Sequence, residues 1–191
     1  DISGILNDTW QEHPDCVPAV ISPDRSTHGI LMMDGNNVTT VSIDLAFPVL
    51  HGKYGEDGTL QGLLELAGIP CVGCGTLCSA LCMDKDMAHR LVSQAGIKTP
   101  LSVVLETPVS ESKLEKLVSH LHDPLFVKPA NAGSSFGISR VSQKEDLAAA
   151  VQLAFRHDRK VIIEEAVDGF EVGCAILGNE NLTIGEVDEI E

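Results

Sequence analysis

The sequence predicts a mixed α/β and α+β protein, in which a doubly wound, parallel-sheet segment gives way near residue 83 to an α+β one. Three observations carry this reading. Between residues 43 and 96, apolar runs and helical stripes alternate as strand, helix, strand, helix, the grammar of a parallel sheet whose crossovers are helices. After residue 97, short strands follow one another closely, joined by turn-forming segments and separated by two amphipathic helices. Hydrophobic residues make up 43% of the 191 and aromatics only 4%, so the chain is long enough for one large domain or two small ones with an aliphatic core.

Residues 1–42 are polar and mixed, and "SPDRSTHG" and "DGNN" read as turns. "IDLAFPVL" (43–50), an apolar run beside a loop, reads as a buried strand. In "LQGLLELAG", Leu60, Leu63, Leu64 and Ala67 share one helical stripe, and Gly68 follows as a stop. "IPCVG" reads as a second short strand, and "TLCSALCMDKDMAHRLVSQAG" as one or two helices ending at Gly96. "TPLSVVLE" is a strand. Ser110 then caps a helix whose Leu114, Leu117, Val118 and Leu121 lie on one face. "PLFVKP" and "GISRV" are strands joined by a serine–glycine loop. Ser142, with Glu145 three residues later, forms a capping box for "QKEDLAAAVQLAFRH". "KVIIEEAV" and "FEVGCAILG" read as strands around a turn at Asp168–Gly169, and "LTIGEVDEI" alternates as another.

The formal net charge is −15, from 28 acidic and 13 basic side chains. Such a surface repels nucleic acid and anionic membranes, so both are set aside as partners. Apolar runs fall short of the roughly 18 residues that a membrane helix needs, and "DISGILNDTW" lacks the basic start and apolar core of a signal peptide. The missing initiator methionine and the strand-like final residues lead us to expect a partial chain. Four of the six cysteines, Cys71, Cys74, Cys78 and Cys82, cluster with spacing C-x2-C-x3-C-x3-C. That spacing matches neither the common zinc pattern nor the ferredoxin run, so no metal is assigned to them. Reduced thiols in a cytoplasmic protein are the simplest account.

Three stretches hold residue types suited to chemistry. "FVKPANAGSSFGISRV", Phe126 to Val141, ends an apolar run in Lys128 and continues into a loop of small and hydroxyl residues. Gly133 and Gly137 permit positive φ and close backbone approach. Ser134 and Ser135 offer hydroxyl and N–H donors to phosphate oxygens, and Lys128 offers a point charge at a strand end. An ordinary hairpin turn would use the same residues, and the loop fits neither the P-loop nor the G-x-G-x-x-G pattern. "VIIEEAVDGFEVGCAIL" ends a strand in Glu164 and Glu165 and then offers Glu171. Solvated strand-end charges are the ordinary account of these acids. The alternative is a strand edge that pairs with adenine, with Glu171 accepting from ribose hydroxyls. "LHGKYGEDGTLQG" places His51 at the C-terminal end of a strand, where open α/β sheets bind ligands, with Glu56 and Asp57 just ahead of a helix. A structural histidine and helix-capping acids would look the same.

In combination these stretches are more specific. "LHGKYGEDGTLQGLLELAGIPCVG", "SALCMDKDMAHRLVSQAGI", "FVKPANAGSSFGISRV" and "VIIEEAVDGFEVGCAILG" resemble the D-alanine–D-alanine ligase family of ATP-grasp enzymes, in family order and spacing over about residues 45–179. "GSSFGI" and "DGFEVGCAILGN" are similar to the D-alanine–D-serine ligases of vancomycin resistance within it. The resemblance implies three regions: an N-terminal substrate-binding domain over 1–83, which is the end of a doubly wound parallel-sheet domain; a central ATP-grasp subdomain over 84–166; and the start of the C-terminal ATP-grasp subdomain over 167–191. It also implies residue roles. His51 lies near the first D-alanine and Glu56 supports that pocket. Lys85 and Lys128 contact the phosphates of ATP. Ser134 sits at the substrate and γ-phosphate, with Ser135 beside it. Glu164, Glu165 and Val167 form the adenine edge, and Glu171 takes the ribose.

The implied reaction is ATP-dependent. Phosphorylation of one D-alanine carboxylate gives an acyl phosphate, and the amine of a second D-amino acid, D-serine favoured or else D-alanine, displaces the phosphate. The product serves peptidoglycan precursor synthesis and glycopeptide resistance. Lysines and Mg2+ neutralise the phosphates, and a lid of small residues keeps water from the acyl phosphate. The family's acid for the first substrate's amine, its metal ligands and its reaction-centre arginine find no counterpart in these residues, so the chain alone is expected to be inactive. A cytoplasmic homodimer acting on small molecules is what the resemblance implies. The competing readings are another ATP-grasp carboxylate–amine ligase and a non-catalytic nucleotide-binding module.

Overall fold

The computed structural model describes residues 2–133 and 135–190. The polar first stretch is more ordered than its composition suggests. A short helix α1 (Ile2–Leu6) precedes an antiparallel meander of β1 (Ala19–Ile21), β2 (Gly29–Asp34) and β3 (Asn37–Ser42). Asp34 pairs with Asn37 across a two-residue turn in which Gly35 has φ +58°, the geometry that suits the twist of a tight hairpin.

The strand expected over 43–50 is reduced to one parallel bridge, Ala46 to Cys71. The Ala46 N–H donates to the Pro70 carbonyl at 2.8 Å, and the Val72 N–H to the Ala46 carbonyl at 2.9 Å. Leu45, Phe47, Val49 and Leu50 stay exposed. With a partner on one side only, the apolar run has no sheet in which to bury both its faces. Helix α2 (Thr59–Ala67) behaves as its stripe predicts. Leu64 and Ala67 are buried with Ile69 against Ile21, Ile43 and Ala46, and Gly68 stops the helix at φ +73°.

The long helical stretch is two helices, α3 (Thr76–Met83) and α4 (Lys85–Gln94), broken at Asp84. Asp84 is extended, and its Oδ1 accepts from the Asp86 and Met87 N–H groups at 3.1 and 3.2 Å, which makes it the N-cap of α4.

The main sheet has four strands in the order β4–β7–β5–β6: β4 (Ser102–Leu105), β5 (Leu125–Pro129), β6 (Ser139–Val141) and β7 (Val161–Glu165). All its pairings are antiparallel. Leu125 and Val127 of β5 and Val161 and Ile163 of β7 form one face, which packs on Leu114 of α5 (Glu111–Val118) and Leu147, Val151 and Ala154 of α6 (Leu147–Phe155). Strand alternation then places Phe126, Lys128, Ile162 and Glu164 on the other face. Two expected caps do not form. Ser110 precedes α5, but its hydroxyl lies 3.5 Å from Ser112 Oγ rather than on a helix N–H. Ser142 caps nothing, because an extended Gln143 and a 3₁₀ turn over Lys144–Asp146 come between it and α6.

Strands β8 (Glu171–Leu177) and β9 (Thr183–Ile190) form a ladder of their own, with a bulge between Cys174 and Ile176. The two strands expected on either side of Asp168–Gly169 are present, but they do not pair with each other: β7 has β4 and β5 on its two edges. No helix among the described residues is long and apolar enough to cross a membrane.

Candidate functional site

The face of the main sheet opposite the core holds a cation and an acid that sequence reading assigned to one ligand. Lys128 stands opposite Ile162, and Glu164 opposite Phe126. The two are thus diagonal neighbours, within reach of long side chains. Lys128 Nζ donates to Glu164 Oε1 in a short ion pair and lies 5.5 Å from the centre of the Phe126 ring. Glu164 is 5% exposed, and its Oε2 has no hydrogen-bond partner among the described residues. A buried carboxylate oxygen without a donor is costly, so this site presents an acceptor to whatever enters it.

Lys85 reaches the same region from the first position of α4. Its N–H donates to the Ala130 carbonyl at 3.1 Å, and its Nζ donates to the Ala132 carbonyl at 2.7 Å. Burial pushes its pKa down, and the neighbouring Lys128 charge adds to the effect, while Glu164, Asp158 and Asp84 oppose it. A Lys128 charge close enough to disfavour that of Lys85 makes a site that an anion would relax.

The serine loop starts where Lys85 docks. Asn131 is clamped by Asp158, whose Oδ2 accepts from its N–H at 2.8 Å and its side-chain amide at 2.9 Å. Ser134 lies outside the described residues. Ser135 is exposed at φ +58°. Gly133 meets a glycine of the other candidate segment: a Cβ built on it would stand 2.8 Å from Gly52 Cα. The serine loop and the histidine loop therefore touch backbone to backbone, as only residues without side chains can.

The histidine loop is tied by its own acids. Glu56 Oε2 accepts the Gly52 N–H. Asp57 accepts the Tyr54 N–H at 2.9 Å and the Thr59 N–H at 3.0 Å. Burial raises the Asp57 pKa, but these hydrogen bonds outweigh it and the net direction is down. Buried Gln61 donates to the Gly55 carbonyl at 3.0 Å. Glu56 and Gln61, with Leu50, Cys74, Ser79 and Cys82, line a cleft of about 350 Å³. His51 is exposed beside Gly52.

The remaining candidates lie apart from this cluster. Glu165 points away from the Glu164 face, and its Oε1 accepts from His122 N–H at 2.9 Å and lies 2.7 Å from His122 Nδ1. The histidine side chain, and next its N–H, hold the Glu165 carboxyl below the usual range. Val167 is 72% exposed, and Glu171 opens β8 with an exposed side chain. No group of three or more His, Cys, Asp or Glu among the described residues could hold a metal ion. The described residues therefore offer no ligand set for the Mg2+ that the resemblance implies. Of the clustered thiols, Cys78 and Cys82 approach to 3.9 Å.

Sequence reading passed over Asp158, His122 and Lys160, whose Nζ lies 2.5 Å from Asp84 Oδ2. No local pattern in the sequence marks any of the three. The partners come from segments 27 or more residues away, which spacing rules do not reach.

Comparison with known proteins gives two family models. The one described as D-ala D-ala ligase N-terminus matches residues 6–74, and the one described as D-ala D-ala ligase C-terminus matches residues 91–191. The chain is 51% identical over 177 residues to the vancomycin B-type resistance protein VanB of Enterococcus faecalis, covering 92% of this chain and 50% of that protein. It is 44% identical over 189 residues to a D-alanine–D-alanine ligase of Caldicellulosiruptor bescii, covering 97% and 51%. The fold superposes on the crystal structure of the VanG D-Ala:D-Ser ligase from Enterococcus faecalis with a TM-score of 0.87 and 54% identity, covering 100% of this chain and 55% of that one. The chain spans about half the length of the curated relatives it matches.

Proposed function

The chain belongs to the D-alanine–D-alanine ligase family, and from that premise we propose that it forms the nucleotide-gripping part of an ATP-dependent ligase that joins D-alanine to a second D-amino acid through an acyl phosphate. The observation that carries this reading is the convergence of Lys85 and Lys128 beside the serine loop. In a molecule of net charge −15, two ammonium groups held together at one strand end are a local exception that suits the phosphates of ATP.

The residues divide the work by position. Lys128, steadied by Glu164, and Lys85, steadied by the Ala132 carbonyl, meet the phosphates. Glu164 Oε2 offers an acceptor on the nucleotide side, with Glu165, Val167 and Glu171 following along the chain toward base and ribose. Ser134 and Ser135 cover the transferred phosphate. Gly133, seated on Gly52, brings that cover against the loop of His51 and Glu56, where the first D-alanine binds. Exclusion of water at this junction protects the acyl phosphate. The chain then divides into a substrate domain over 1–83, a central subdomain over 84–166 and the beginning of a C-terminal one over 167–191.

D-Serine as second substrate is supported by the 54% identity to VanG, a D-Ala:D-Ser ligase. The nucleotide reading is tested by calorimetric titration of this chain with a non-hydrolysable ATP analogue. Lys128→Ala should weaken binding about tenfold, as expected for one lost charge-assisted contact. Undiminished affinity would remove Lys128 from the phosphate site. The substrate reading is tested in the ligase that carries these residues, by mass spectrometry of the dipeptides made from equimolar D-alanine and D-serine. A predominance of D-alanyl-D-alanine would overturn the D-serine assignment.

A further inference from the structure

Lys160, just ahead of β7, belongs to none of the stretches that point to a ligand, yet it holds the two acids on either side of Lys85. Its Nζ lies 2.5 Å from Asp84 Oδ2 and 3.2 Å from Asp86 Oδ2. The side chains involved are largely buried, at 16% exposure for Lys160, 16% for Asp84 and 10% for Asp86. We infer that Lys160 is a positioning residue for Lys85, gripping both of its sequence neighbours so that the Lys85 ammonium is aimed at the anion site. This rests on the phosphate reading of Lys85 given above.

The oxygens are shared out in a way that supports this role. Asp84 uses Oδ1 to cap α4 and leaves Oδ2 to Lys160. Asp86 gives Oδ1 to Arg90, one turn further on, at 2.7 Å and Oδ2 to Lys160. The main chain runs in parallel: the Lys85 N–H donates to Ala130, and the Ala130 N–H donates to the Lys160 carbonyl at 2.8 Å. The start of α4, the turn after β5 and the residue before β7 are thus bonded in series. One ion pair would fix only the distance of α4 from the sheet. Attachment at residues 84 and 86 together also fixes the rotation of the helix about its axis, and that rotation sets the direction in which residue 85 projects. A buried ammonium shared between two carboxylates keeps its charge. Burial works against it, but the Asp84 and Asp86 bonds outweigh that, and the Lys160 pKa is raised.

A positioning role makes a prediction that bulk stabilisation does not. Lys160→Met should weaken binding of the non-hydrolysable ATP analogue about tenfold, the scale of one charge-assisted contact, and should leave binding of adenosine, which has no phosphate, unchanged. Lys160→Arg, which can still span both acids, should stay within about twofold of the parent chain. In a Lys85→Ala background, Lys160→Met should cost nothing further, because the group it positions is gone. Equal losses in both backgrounds, or weakened adenosine binding, would show a merely structural lysine and overturn the inference. So would unchanged ATP-analogue affinity in Lys160→Met. Should Lys160→Met fail to fold, Asp84→Asn and Asp84→Asn/Asp86→Asn, both read in an Arg90→Met background so that the Asp86–Arg90 pair is already absent, remove the Lys160 ion pairs while keeping an N-cap-competent residue, and the same cycle is read with them. If Lys85→Ala alone leaves affinity untouched, the phosphate reading itself fails, an outcome distinct from failure of Lys160 alone.

Discussion

At the scale of single residues, the site depends on two contacts that tolerate little change. The Lys128–Glu164 pair is largely buried, with side-chain exposures of 22% and 6%. Removing one partner of such a pair strands the other charge, at a cost of about 3–5 kcal/mol. Lys128→Ala should therefore lower the urea midpoint as well as nucleotide affinity, and adding Glu164→Gln should recover most of the lost stability but none of the affinity. A double variant no more stable than Lys128→Ala would mean that the pair is structurally neutral. Gly133 is the second contact. An alanine there would place its Cβ 2.8 Å from Gly52 Cα, and since both neighbours are backbone, one loop must move. About 1–3 kcal/mol of overpacking follows, and we expect Gly133→Ala to weaken binding of the nucleotide analogue with a smaller loss of thermal stability. An unchanged affinity in the folded variant would show that the loop junction is not needed for the nucleotide.

At the scale of elements, helix α4 is held at its first turn by charge, and that charge sets a pH window at each end. Burial raises the Asp86 pKa, but the Arg90 and Lys160 hydrogen bonds outweigh it, so the folded pKa lies below the usual aspartate value. Its contribution is therefore present above about pH 4 and lost as pH falls through the lower, folded value. Lys160 has the opposite sign. Its folded pKa lies above 10.5, so its contribution is complete below that and lost as pH rises through the folded value. Unfolding measured against pH should show Asp86→Asn flattening the acid limb and Lys160→Met flattening the alkaline limb. Limbs that match the parent would mean that the clasp adds nothing to stability. Glu165 adds to the acid limb in the same sense, since its carboxyl is lowered by His122. Helices α2 and α4 were legible in advance because a stripe and a stop glycine are local properties. The side-chain cap at Ser110 and the capping box at Ser142 were not, because whether a hydroxyl turns inward depends on where the helix sits in space.

At the scale of the whole molecule, burial is uneven. Strands β5 and β7 hold the fully buried Val127, Val161, Ile162 and Ile163, whereas β9 is exposed along its length and β8 nearly so. Opening free energy follows buried apolar contact, so amide exchange should be slowest in β5 and β7 and faster by orders of magnitude in β8 and β9. Equal protection would show that the ladder is covered. The sequence by itself determined the strand and helix order of the main sheet, the apolar face of each helix, the glycine stops and the motifs that point to an ATP-dependent ligase. All of these are set by interactions within a few residues, or by residue types in fixed order. Only the tertiary structure decided that the 43–50 run is a single bridge, that β7 and β8 part company, that Gly133 rests on Gly52, and that Lys160 closes on both neighbours of Lys85. Those outcomes depend on which distant segments share an edge or a burial site, and local spacing carries no information about partners so far away in the chain.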